Sequence, residues 1–192
     1  MAHEVRNPLN AVAMTAQRLR REFLSATDAK AVDRPELEEL LAVMTQETAR
    51  IDRIVEQFLD FARPPKLAVT QVSLSDLVTE LTERSRALAA ARGVVLAVSS
   101  GKTVEAVVDP GQLRQVLDNL VRNALDATPE GGQVTITASR VAEESTIVVS
   151  DTGAGIDPQH LPRIFDLYFT TKSQGTGVGL ALAQQIVAAH GG

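Results

Sequence analysis

Two successive prolines, Pro64-Pro65, constrain this chain more than any other feature. Proline carries no backbone N–H, fixes φ and pushes the residue before it out of α geometry, so neither a helix nor a central strand runs through such a pair. The chain therefore divides there, and the two sides differ in pattern. Ahead of the prolines, apolar residues recur every three or four positions: Val5, Leu9, Val12, Ala16, Leu19 and Phe23, then Leu37, Leu41, Met44, Ile51, Val55, Phe58 and Ala62. That spacing predicts two amphipathic helices. The polar stretch Ser25 to Arg34 separates them, and Pro35 suits the opening of the second. The expectation is an antiparallel helical hairpin. Two helices cannot cover each other's apolar stripes all round, so pairing with a second copy into a dimeric four-helix bundle is the natural solution.

Beyond the prolines the pattern is mixed. Ser73, with Asp76 three residues on, signals a helix running to about Arg92. Val94–Val98 and Val104–Val108 read as strands, and Asp109-Pro110 opens another helix with an N-cap acid and proline at the first position. Val134–Ala138 and Thr146–Ser150 alternate as strands, joined around Ala142–Glu144. A loop-rich stretch from Asp151 to Gly177 leads to a last helix carrying Val178, Leu182 and Ile186, which Gly191-Gly192 would end. The predicted class is α+β: the hairpin over 1–63, a linker over 64–67, and over 68–192 an α/β sandwich with one layer each of sheet and helices.

Composition narrows the functions open to such a chain. Acids outnumber bases 24 to 19 for a net charge of −5, and no Lys/Arg run appears, which argues against nucleic-acid binding. Without cysteine, disulfides and thiolate metal sites are excluded. No apolar run approaches the roughly 18 residues a membrane helix needs, so the chain as given is expected to be soluble.

The residues that carry chemistry lie in the second part. On the helix Gln112–Ala127, Leu113, Leu117, Leu120, Val121 and Ala124 gather on one side, and Asn119, Asn123 and Asp126 neighbour one another on another. Asparagine is a mediocre helix former, so this face is either a site or a solvated polar surface. Asp151-Thr152-Gly153-Ala154-Gly155 follows a strand, where an acid can point into a cleft and the glycines allow a tight turn. Gly175-Thr176-Gly177-Val178-Gly179 opens the final helix, whose N-terminal N–H groups suit phosphate oxygens. This second run is no dinucleotide fingerprint, since no strand precedes it. It is no P-loop either, lacking Gly-Lys-Ser/Thr.

Taken in order, these segments resemble a known family. Asn119-x-x-x-Asn123, Asp151-x-Gly153-x-Gly155, Phe165…Tyr168-Phe169-Thr170-Thr171-Lys172 and Gly175-x-Gly177-x-Gly179-Leu180 resemble the N, G1, F and G2 boxes of histidine-kinase ATP-binding domains. His3-Glu4-Val5-Arg6-Asn7-Pro8-Leu9 resembles the phosphoacceptor H box of nitrogen-regulation-type sensor kinases. The resemblance implies a Bergerat-type ATP-binding domain and an ATP-dependent autokinase that phosphorylates His3 and relays the phosphoryl group to a response regulator receiver domain.

It also implies roles. Asn123 would hold Mg²⁺ and Asn119 would line the same phosphate pocket, beside Asp126. Asp151 would accept from the adenine amino group, with Gly153 and Gly155 permitting close approach. Asp166 to Thr176 would form the ATP lid, with Thr171, Lys172, Gly175 and Thr176 near phosphate, and Gly177, Gly179 and Leu180 would open the phosphate-binding helix. Glu4 would take a proton from, or support, the attacking ring of His3. Asn7, one turn on, would orient water when phosphate is removed from the regulator. His160 and His190 are read as surface or packing residues.

The resemblance further implies a cytoplasmic homodimer, attached to any membrane only through segments outside this chain, and an ATP-binding fold continuing past Gly192. Relatives of the same ATP fold that hydrolyse ATP use a glutamate where Asn119 stands, and an amide cannot serve as that base. A nucleotide-binding dimerisation module without kinase activity is the other alternative.

Overall fold

The computed structural model describes residues 2–23, 34–62, 67–100, 103–172 and 175–192, with the side chains of 2–8, 20–23, 34, 36, 50, 52–54, 56–62 and 100 outside the description. The chain forms two compact units, Met1–Arg63 with Lys172–Thr176 and Pro64–Thr171 with Gly177–Gly192. Residues 24–33 and the double proline lie outside the described residues.

The first unit holds α1 (Ala2–Phe23) and α2 (Arg34–Ala62), packed along each other. Pro35 falls in the first turn of α2, where its missing N–H costs nothing. The apolar stripe is unevenly covered: Leu37, Met44 and Ile51 are half-buried, and Leu41 and Val55 are exposed. Leu40 is buried at 7% exposure, whereas Leu41 is 49% exposed. One residue turns a helix by about 100°, so Leu41 and Val55 lie on a different face of α2 from Leu40. Leu9 and Met14 of α1 are exposed as well.

In the second unit, β1 (Thr70–Ser73), α3 (Leu74–Ala91), β2 (Val95–Ser100), β3 (Glu105–Val108), α4 (Pro110–Ala127), β4 (Gln133–Val141), β5 (Glu144–Asp151) and α5 (Gly179–Ala189) follow in order. Local chemistry sets the helix starts. Ser73 accepts from the Asp76 N–H as N-cap of α3, and Asp109 caps α4 ahead of Pro110. The strands make two sheets rather than one. β1 pairs antiparallel with β3, and β4 lies between β2, to which it is parallel, and β5, to which it is antiparallel. The Ser145 hydroxyl on β5 donates to the Glu105 carbonyl on β3 (3.1 Å), so the two sheets adjoin.

Alternation along β4 buries Val134, Ile136 and Ala138, which share one core with Leu77, Val78 and Leu81 of α3 and Leu117, Val121 and Leu125 of α4. Each valine, leucine or isoleucine of this set contributes about 1.5–3 kcal/mol by leaving water. α5 sits on the other flank of α4, where Val116 and Leu120 meet Leu182, Ala183 and Ile186 in a second cluster. With one face of α4 on the sheet core and another under α5, a third is left for Asn119 and Asn123.

Candidate functional site

The anchor of α4 is its N-cap. Asp109 is largely buried, its Oδ2 accepting from the Ala68 N–H (2.9 Å) and its Oδ1 from Gly111 (2.9 Å) and Gln112 (3.1 Å). The Ala68 N–H above all, then that of Gln112, hold its carboxyl below the usual 3.8 although burial opposes them.

Halfway along α4, Asn119 is half-buried, and its Nδ2 donates to the Gly179 carbonyl (3.4 Å) in the first turn of α5. A Cβ on Gly179 would lie 3.3 Å from Asn119 Oδ1, so glycine allows this approach of backbone to amide. Asn123 is half-buried one turn further on. Asp126 is placed differently: its Oδ1 pairs with the Arg92 guanidinium (2.7 Å), tying the end of α3 to the end of α4.

The turn after β5 closes on the same helix. Asp151 ends β5, is exposed, and accepts the Gly153 N–H on Oδ1 (2.9 Å). A Cβ on Gly153 would lie 2.4 Å from the Ala127 carbonyl oxygen, which also accepts from Ala154 (3.4 Å). The turn thus rests on the C-terminal end of α4. Gly155 takes φ +72 with open space around it.

The loop after Gly155 and the start of α5 are stitched back to back. Tyr168 adopts φ +70, uncommon for a bulky residue, and its N–H donates to the Gly177 carbonyl (2.8 Å). Gly177 itself takes φ +63, and a Cβ there would lie 2.4 Å from the Tyr168 carbonyl carbon. Val178 is fully buried and Leu180 half-buried, so the opening of α5 is held from inside. A short 3₁₀ turn, Leu161–Arg163, interrupts the loop, with the Arg163 guanidinium 4.6 Å above the Phe169 ring and the His160 ring 5.5 Å from it. His160 thus packs against Phe169. Phe165 and Thr171 are exposed.

The fold therefore gathers Asn119, Asn123, Gly153, Gly177 and Gly179 around one helix, with Asp151 and Leu180 at its margins. His3, Glu4 and Asn7 lie in the first turns of α1, and their side chains lie outside the description. Lys172, Gly175 and Thr176 fall in the first unit, where the Gly175 N–H donates to the Lys172 carbonyl (3.1 Å). The sequence reading missed Ala127, which works through its carbonyl and so leaves no side-chain signal, and Arg92, whose partner sits 34 positions away. Among the described residues, no group of three His, Cys, Asp or Glu could hold a metal ion, and no helix is long and apolar enough to cross a membrane.

Comparison with known proteins extends over the whole chain. Residues 1–66 match the family described as the His Kinase A (phospho-acceptor) domain, and residues 108–192 the one described as histidine kinase-, DNA gyrase B-, and HSP90-like ATPase. The sensor histidine kinase ZraS of Salmonella typhi is 37% identical over all of this chain and 40% of its own length. The signal transduction histidine-protein kinase AtoS of Escherichia coli strain K12 is 36% identical over all of this chain and 30% of its own. The chain thus spans less than half the length of these relatives. Among solved structures, the catalytic domain of histidine kinase ThkA aligns at 30% identity and TM-score 0.57 over 63% of this chain and 82% of that one. Full-length ShkA in complex with AMPPNP aligns at 27% identity and TM-score 0.67 over 99% of this chain and 40% of that one.

Proposed function

The chain belongs to the sensor histidine kinases, and from that premise we propose that its second unit binds ATP with Mg²⁺, that His3 receives the γ-phosphoryl group, and that a response regulator aspartate then accepts it. One observation carries the reading for the nucleotide site. The segments matching the N, G1, F and G2 boxes, far apart in sequence, meet on α4 and at the start of α5 through the Asn119–Gly179, Gly153–Ala127 and Tyr168–Gly177 contacts. The AMPPNP complex of ShkA supports an adenine nucleotide there.

In this reading the N-terminal N–H groups of α5, with Gly177 and Gly179, receive phosphate oxygens. Asp151 spends Oδ1 on the Gly153 N–H and offers Oδ2 to the adenine amino group. Asn123 is half-buried one turn from Asn119, and its amide oxygen would be the protein ligand to Mg²⁺, an ion usually held by one or two protein oxygens together with substrate phosphates. Held there, such an ion would supply neutralisation of charge on the phosphates. His3 attacks the γ-phosphorus through a neutral ring nitrogen, a new N–P bond replaces the bond to the ADP oxygen, and Glu4 receives the ring proton. Asn7, four residues along α1 from His3, orients water against the regulator's aspartyl phosphate. The exposed Leu41 and Val55, beside the buried Leu40, support a homodimer built through the first unit.

The test is incubation of the chain with Mg²⁺ and ATP labelled in the γ-phosphate. The proposal expects label on the protein, stable in alkali and lost in acid. Release of free phosphate with no labelled protein would favour an ATPase instead.

A further inference from the structure

His190 does more than pack. It caps the C-terminal end of α5, and its Nε2 lies 2.9 Å from the Asp109 backbone nitrogen at the start of α4. A backbone N–H can only donate, so Nε2 must be the unprotonated acceptor. The ring proton therefore sits on Nδ1, which donates to the Ile186 carbonyl (2.8 Å). The imidazole is a neutral bridge of fixed tautomer.

α4 and α5 run antiparallel, joined at two points. One is the His190–Asp109 bridge and the other the Asn119–Gly179 contact. From Asp109 to Asn119 the rise is about 15 Å and from Gly179 to His190 about 16 Å, at ~1.5 Å per residue. Between the two ties Val116 packs with Leu182, Ala183 and Ile186, and Leu120 joins them just past Asn119. Sliding α5 along α4 at one end therefore moves the other. The Asp109 end is held by the Ala68, Gly111 and Gln112 N–H groups.

We propose that His190 is a positioning residue for nucleotide binding: its neutral Nδ1–H form sets the register of α5 on α4, and so the place of Gly177 and Gly179 beside Asn119. The inference rests on the nucleotide reading of that site, and its test separates the two. Nitrogen-15 NMR of the full chain reads the His190 tautomer without nucleotide, and titration with Mg²⁺-AMPPNP reads affinity. Nδ1–H is expected in the unliganded chain. His190→Phe, which keeps a ring and loses both bonds, should weaken AMPPNP binding about tenfold with the far-ultraviolet circular dichroism unchanged. His190→Gln, whose Oε1 can still accept from Asp109, should recover most of it. An Nε2–H tautomer, or a folded His190→Phe chain that binds as the parent does, overturns the proposal. Should His190→Phe fail to fold, the tautomer and the affinity of His190→Leu, which also loses both bonds, decide in the same way. A parent chain that binds no AMPPNP but shows Nδ1–H sinks the nucleotide reading and leaves the helix tie standing.

Discussion

Replacing Gly177 with alanine puts two costs on one residue. The backbone there sits at φ +63, where an L side chain costs about 1–2 kcal/mol. The new Cβ would lie 2.4 Å from the Tyr168 carbonyl carbon and 2.7 Å from the Phe169 nitrogen, about 1 Å inside ordinary van der Waals contact with backbone. Backbone cannot swing aside as a side chain can, and such overpacking costs about 1–3 kcal/mol. Together they predict a loss of about 2–5 kcal/mol. Gly155→Ala is the built-in control, since Gly155 has φ +72 and no atom within 4 Å of its Cβ position, leaving only the first cost. The assay is urea unfolding followed by tyrosine fluorescence. Tyr168 is the single tyrosine and there is no tryptophan, so the signal comes from the segment under stress. Gly177→Ala should lower the midpoint well beyond Gly155→Ala, with the m-value unchanged. If the two variants fall within about 0.5 kcal/mol of each other, the steric reasoning is wrong.

Other expectations follow from the same geometry. Because hydrogen bonds hold the Asp109 carboxyl below 3.8, the unfolded chain takes up that proton first as pH falls. Its contribution to stability is complete above that value and is lost as pH drops through the lower folded one. Asp109→Asn should therefore flatten the fall of the urea midpoint below about pH 4, and a fall as steep as the parent's would count against it. Asp151→Asn should erode preference for ATP over GTP, since an amide can present a donor where the carboxylate only accepts; competition binding with unchanged preference would remove Asp151 from the adenine edge. Leu41 is half exposed within one chain, so Leu41→Glu should keep helicity yet halve the sedimenting mass. A parent chain that already sediments as a monomer would refute the dimer.

What the sequence made legible is what neighbouring residues decide. Ser73 with Asp76 and Asp109 with Pro110 announce their helices because a cap is completed within three or four positions. β4 announces itself because its buried residues alternate over most of nine positions. β1 was not foreseen, because four residues with no buried side chain carry no period, and only pairing with β3 makes Thr70–Ser73 a strand. The stripe on α2 was legible but not its direction, since spacing alone cannot tell that Leu40 is buried and Leu41 is exposed. In the site, the polar trio on α4 was visible, yet Asp126 turns to Arg92, a partner chosen by how α3 lies on α4. His190 reads in the sequence as a surface or packing residue because its partner is a backbone N–H 81 positions away, and main-chain donors leave no mark in a sequence.

The central claim is a phosphoryl transfer from ATP to His3, and the direct measurement compares His3→Gln with the parent chain. Both are incubated with Mg²⁺ and γ-labelled ATP, and acid-labile phosphate on the protein is counted beside affinity for AMPPNP. Because His3 lies in α1 and the proposed nucleotide site in the second unit, His3→Gln should lose all protein-bound label while binding AMPPNP as the parent does. Undiminished labelling of His3→Gln would contradict the account.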